Sequence, residues 1–181
     1  MAKYGTFHAV IGNGATFLAP ITAYPTTTLT MALYNPTSDR VYKVKAVHSF
    51  LASGTPGAGG AILVCVTAVA QARPTLSTGP NGGYANTVIS HLGGRGAPGD
   101  TQGVFINAIT LTGPQPAWVA IAAEPAAGTG ATIGTHGIAA DVQAFNLGVL
   151  GGHMMGITYL SGAGSTPLYG FGVTWEEEDE E

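Results

Sequence analysis

From Tyr169 to Trp175 every second residue is large and apolar, and Gly170, Gly172 and Thr174 fill the places between. A period of two sends successive side chains to opposite faces of an extended chain, so this segment reads as a β-strand with one bulky face and one bare face. On a helix the same four large residues would fall on opposing sides and bury nothing together.

The pattern recurs along the chain. Leu29, Met31 and Leu33 alternate with Thr28, Thr30 and Ala32, and the run stops at residues 35–40, Asn-Pro-Thr-Ser-Asp-Arg, a cluster of turn formers. Residues 41–51 follow as a strand, with Tyr42, Val44, Ala46, His48 and Phe50 expected on one face and Lys43, Lys45 and Ser49 on a wetter one. Further strands are expected at 4–11, 61–70, 86–91, 104–112, 117–123, 138–145 and 168–175. The best helical competitor, residues 137–150, carries Gly137, Gly148 and β-formers around Val142. No repeat of fixed period argues for a solenoid or propeller. Eight to nine short strands separated by long Gly-rich loops at 53–60, 77–85, 92–103 and 124–137 predict an all-β fold, a β-sandwich or jelly roll. One domain over residues 1–175 is expected, followed by an acidic tail at 176–181.

Gly (28) and Pro (11) together stay below the ~25–30% of low-complexity chains, and the mean hydropathy is positive, so the chain is expected to fold. Charge is scarce and unevenly placed. Only 9% of residues are charged, against about 25% in ordinary globular domains, and the last six residues are all acidic. Residues 1–175 hold six cations and four carboxylates, a net charge of +2. A lone soluble monomer needs more charge on its surface, so other subunits are expected to cover much of this one. No Lys/Arg stripe suggests nucleic acid, and no apolar stretch of about 18 residues suggests a membrane span. The N-terminus lacks the apolar core of a signal peptide, which predicts synthesis in the cytoplasm without export by that route.

Little material is available for chemistry. Outside the acidic end the carboxylates are Asp39, Asp100, Glu124 and Asp141, mostly in or beside loops. His8, His48, His91, His136 and His153 show no metal-ligand spacing, and the single cysteine, Cys65, sits inside an apolar run where a thiol packs as a hydrophobe. Neither a phosphate-cradling Gly-Lys-Ser/Thr loop nor a Gly-x-Ser-x-Gly elbow occurs. Catalytic, cofactor and metal residues are therefore expected to be absent. Trp118 and Trp175 could stack on a sugar, or else fill a core or an interface. Arg95, in the loop Gly93-Gly94-Arg95-Gly96, could grip a partner's carboxylate or phosphate.

The block Leu33-Tyr34-Asn35-Pro36-Thr37-Ser38-Asp39-Arg40-Val41, the later Ser53-Gly54-Thr55-Pro56 and the ending Val173-Thr174-Trp175-Glu176-Glu177 resemble the small β-sandwich structural proteins of tailed bacteriophages, especially capsid decoration or cement proteins. The resemblance implies a symmetric oligomer, a trimer in the first instance. It would sit in the virion against the major capsid protein or other virion proteins and act by burying surface. The N-terminal segment and the Gly-rich loops are expected to reach neighbouring molecules, with Arg40, Lys43, Lys45, Arg95, Trp118 and Trp175 as the candidate interface residues. Other virion roles in shell, vertex, fibre or tail, and a carbohydrate-binding attachment module, are the alternatives. A hydrolase is a third.

Overall fold

The computed structural model describes residues 3–10, 17–55, 59–74, 88–90, 103–124, 137–161 and 165–180. In chain order the strands are β1 (Lys3–Val10), β2 (Thr28–Tyr34), β3 (Arg40–Thr55), β4 (Gly60–Val66), β5 (Val88–Ser90), β6 (Val104–Thr110), β7 (Val119–Glu124), β8 (Gly137–Asp141), β9 (Gly148–Val149), β10 (Met154–Ser161) and β11 (Ser165–Asp179). One sheet runs β5-β1-β11-β3-β8 with β9 also on β3, and the other runs β6-β2-β10-β4-β7. Every pairing between named strands is antiparallel. Without the additions β5, β6 and β9, four strands (β1-β11-β3-β8) face four (β2-β10-β4-β7). The chain changes sheet at each connection between these eight except β4 to β7. That is the eight-stranded jelly roll, a sandwich closed by crossings between its two sheets. Among the described residues no helix is long and apolar enough to cross a membrane.

The core lies between the sheets, and β11 and β10 run through the middle of it. Tyr169, Phe171, Val173 and Trp175 of β11 all point inward at 0–1% exposure, as their alternation predicts. Trp175 packs against Phe7 and Tyr42 with ring centroids 5.9 and 6.0 Å apart, and Tyr169 stacks on Tyr159 of the facing sheet at 4.2 Å.

Three features differ from the sequence expectation. β10, the central strand of its sheet, was not among the expected strands. It is buried on both faces, so Met154, Met155, Ile157, Thr158 and Tyr159 do not alternate. Gly156 interrupts its apolar run because Leu29 and Cys65 lie over that position. A Cβ there would come within 2.7 Å of Leu29 Cδ2 and 2.8 Å of Cys65 Sγ.

Secondly, the faces of β3 exchange half-way along. Tyr42 and Val44 point inward, but so do Val47, Ser49 and Leu51, because Thr174 pairs with Ala46 while Trp175 pairs with Val44. Lys45 is the extra residue of a β-bulge, and its carbonyl accepts from Val142 N–H at 2.9 Å. The bulge sends His48 and Phe50 to the outer face instead of the core.

Thirdly, the acidic end is no tail. β11 continues to Asp179, and Glu177 is wholly buried. The turn before β3 is built for this end. Asn35 donates through Nδ2 to the carbonyls of Arg40 and Val149, and its Oδ1 accepts from Thr37 N–H and Oγ1.

A second apolar cluster lies outside the sandwich, on the outer face of the β10 sheet, and contains Leu29, Ala32, Tyr34, Cys65, Val104, Ile106 and Met154. Its cover follows from topology. β6 and β7 run in the same direction at opposite edges of that sheet, so residues 111–118 must pass from edge to edge. Four strand spacings are about 19 Å, within the ~27 Å reach of eight extended residues. Leu111 and Trp118 pack on the cluster, and Trp118 Nε1 donates to the Pro25 carbonyl at 3.1 Å. Gln71 clamps the crossing chain: Nε2 donates to the Thr112 carbonyl at 2.9 Å, and Oε1 accepts from Thr112 N–H at 2.9 Å. Burial beneath this cover pushes the Cys65 thiol up to about 12, against a smaller opposing effect of a backbone hydrogen bond to Gly156. Gln71→Ala should lower stability by about 0.5–1.5 kcal/mol, the net worth of the hydrogen bonds it makes to the exposed Thr112 backbone, seen as a lower urea midpoint. It should also speed labelling of Cys65 by a disulfide reagent at pH 8, whereas unchanged labelling would mean that something else shields the thiol.

Candidate functional site

The inward bulk of β11 leaves its outward residues small. Gly170, Gly172 and Thr174 form a shallow track along the middle of the outer face, and the side chains of β1 and β3 close over it. A Cβ on Gly170 would run into the ring of Phe50, and one on Gly172 would run into the imidazole of His48. Phe50 meets Phe17 edge to face at 6.0 Å. His8 of β1 and His48 of β3 reach across the strand between them and stack over the Gly172 position, with ring centroids 5.0 Å apart and planes within 7°. His8 Nδ1 lies 2.9 Å from Thr174 Oγ1. Burial, and secondarily the nearby His8, holds the His48 imidazole below the usual histidine range.

Toward the acidic end the same face becomes charged. Lys45 Nζ pairs with Glu176 at 2.9 Å, with both side chains partly exposed. Lys43 stands opposite Glu176, Arg40 opposite Asp179 and Lys3 opposite Glu178 in the strand register. Glu177 points inward, where Arg40 donates to Oε2 at 2.9 Å and the Trp175 indole donates to Oε1 at 3.2 Å. Gly5 lies opposite Glu177 and brings no side chain into that space. The cations of β3 thus receive the carboxylates of β11, which is why the acids at 176–179 can continue a sheet strand.

These placements revise the candidate interface residues. Arg40, Lys43 and Lys45 do gather on one strand, but Arg40 and Lys45 spend their charge within the chain. Trp175 is in the core at 0% exposure, so it is no interface or sugar-stacking residue. Trp118 is half-buried and secures the crossing segment. Arg95 lies outside the described residues, as do most residues of the long Gly-rich loops and positions 11–16 of the N-terminal segment. The histidine stack escaped the sequence reading because the bulge at Lys45 inverts the face on which His48 emerges. The ion pairs had no local signal in the sequence, because Arg40 and Lys45 lie on a strand remote in sequence from the acids they meet.

Among the described residues no group of three or more His, Cys, Asp or Glu side chains gathers as a metal site. A cleft of about 190 Å³ lined by Gln71, Arg73, Thr110, Thr112 and Met154 lies on the other sheet, below the ~300–1,000 Å³ typical of small-molecule sites.

No family model and no curated protein matches the chain. Among solved structures, a chain from the structure of infectious bursal disease virus Gx strain aligns over 99% of this chain and 40% of its own length, at 11% identity and a TM-score of 0.10. The present chain thus spans about 40% of that one, and a likeness this slight carries no argument about fold or function.

Arg40→Ala should cost about 3–5 kcal/mol of unfolding free energy, because it leaves the Glu177 carboxylate buried without its cation. Lys45→Ala should cost less than about 1 kcal/mol, as its pair is partly exposed. Urea titration of both variants checks the contrast, and equal losses would contradict the burial argument.

Proposed function

We propose that this chain is a virion structural protein, a capsid decoration or cement subunit that assembles as a symmetric oligomer and stabilises a particle by covering surface, without catalysis. The observation that carries this reading is a jelly roll, a fold used for viral capsids and lectins alike, with very little free charge. Residues 1–175 hold ten charged side chains, and two of the six cations are tied to the acidic end of β11. A surface so poor in charge loses little solvation when it is buried against another protein. Exposed Tyr24, Val69, Val119, Phe145 and Leu150 add apolar area to it.

The choice between the two uses of the fold turns on the aromatics. A sugar-binding module needs an exposed stacking face. Trp175 is enclosed in the core, and Trp118 is committed to the crossing segment. Subunit packing is therefore the better supported use, with the outer face of the β1-β11-β3 strands and the exposed apolar residues as the surfaces that would meet the shell protein.

Quantitative mass spectrometry of density-purified particles from the source culture should find this chain at a simple ratio to the main shell protein. Its absence from particles would overturn the reading. Lys43→Glu, which reverses a half-buried cation on the outer face, should weaken reassociation with stripped particles about tenfold while leaving the melting temperature within a few degrees of wild type.

A further inference from the structure

The cleft beside Gln71, too small for a drug-sized ligand, has the size and lining for one side chain. Its volume is about 190 Å³, and its floor is apolar, made of the buried Met154 and the half-buried Ile109. Two short segments line it, 71–74 and 109–112, and Gln71 ties them together. Its Nε2 donates to the carbonyls of Val69 and Thr112, and its Oε1 accepts from Thr112 N–H. Arg73 and Thr110 stand exposed at the rim, and Arg73 is the charged residue of the lining. A guanidinium beside an apolar floor suits a carboxylate carried on a methylene stem: the stem lies on Met154 and Ile109, and Arg73 and the Thr110 hydroxyl donate to the oxygens.

The chain carries such a group just past the end of β11. Glu180 N–H donates to the Asp39 carbonyl at 2.9 Å, which fixes two exposed acids next to each other on the turn that Asn35 holds. The first acids of the run are taken up inside the chain, Glu176 by Lys45 and Glu177 by Arg40. Among the described residues no cation pairs with Glu180 or Asp39, and no carboxylate pairs with Arg73. Tip and cleft lie at the same end of the sandwich: Gly152 N–H donates to the Asn35 carbonyl, and the Gly152 carbonyl accepts from Gln71 N–H. They belong to different sheets and do not meet within one chain, the tip extending β11 and the cleft lying against Met154 of β10.

We propose that Glu180 of one copy places its carboxylate in the Arg73 cleft of a second copy, with Asp39 beside it at the rim, so that this chain associates with itself head to tail. Charge complementarity selects the occupant: an acidic tip and a cationic cleft, each without a partner among the described residues of its own chain, satisfy each other between copies. Glu180 is the inserted acid because its stem is longer than that of Asp39 and reaches the apolar floor. Since tip and cleft are different places, the contact is heterologous, and it closes into a ring when the rotation between successive copies closes. The inference supplies a contact for the symmetric oligomer proposed above and rests on that part of the reading, not on the virion.

Sedimentation equilibrium of the full chain tests it. Wild type should form an oligomer whose dissociation constant rises with salt. Arg73→Glu and Glu180→Arg should each raise that constant about tenfold or more, because each sets like charges against one another. Both side chains are exposed, so neither change disturbs the core. An equimolar mixture of the two single variants should associate again, since each carries the group that the other lacks, and the double variant should recover likewise. An oligomer unaffected by Arg73→Glu, weakening in only one of the two variants, or a mixture that stays dissociated would overturn this contact while leaving a symmetric assembly through another surface standing. A wild type that stays monomeric would overturn both, and an Arg73 Nε–H resonance that then shifts with free glutamate would give the cleft to a soluble carboxylate instead.

Discussion

Glu177 faces the interior because it continues the alternation that buries Tyr169, Phe171, Val173 and Trp175, and the rest of the structure answers to that placement. A carboxylate taken out of water must be paired and hydrogen-bonded. Arg40 and the Trp175 indole supply the partners. Arg40 can do so only because Asn35 and Thr37 fix the turn that delivers it, and Gly5 leaves the space open. Aromatic core, acidic end and Asn-Pro turn are therefore one unit, although 137 residues separate Arg40 from Glu177. The outward residues of the same strand complete the arrangement: where the inside is large the outside is small, and the glycine track lets the flanking strands touch.

Much of the fold was legible because the clearest strands alternate bulky apolar residues with small or hydroxyl-bearing ones. β2 and β11 announced themselves by strict alternation, and the jelly roll follows from many such strands between Gly/Pro punctuation. What was hidden had physical causes. β10 is buried on both sides, so its pattern carries no period. The bulge at Lys45 shifts the faces of β3 by one residue, and no single-strand pattern reveals a bulge created by pairing. The acids at 176–179 looked like a solvated tail because the cations that receive them belong to strands distant in sequence. The candidate site was less legible than the fold. Its lysines were named, but His48 emerges on the outer face only through that bulge, and Trp175 belongs to the core.

Function, on the reading proposed here, comes from what the surface lacks. Internal pairing of Arg40 and Lys45 removes charge from a body that began with little, and the two tryptophans are spent on the interior and on the crossing segment. What is left is a rigid sandwich with a nearly neutral exterior, suited to being covered by other proteins. Its two outer faces differ. One is roofed by residues 111–118 of its own chain, and the other is covered along its glycine track only by the side chains of the flanking strands, His48 and Phe50 among them.

The central claim is that residues 176–179 finish the sandwich instead of trailing from it. The most direct measurement is the thermal unfolding of a chain ending at Trp175, followed by near-ultraviolet circular dichroism, which reports the packing of Trp175 and its aromatic neighbours. The account predicts loss of the cooperative transition, or a melting temperature lowered by ten degrees or more (about 2–4 °C is lost per kcal/mol in a domain of this size). A truncated chain that melts with the full-length transition and keeps its aromatic signal would contradict it.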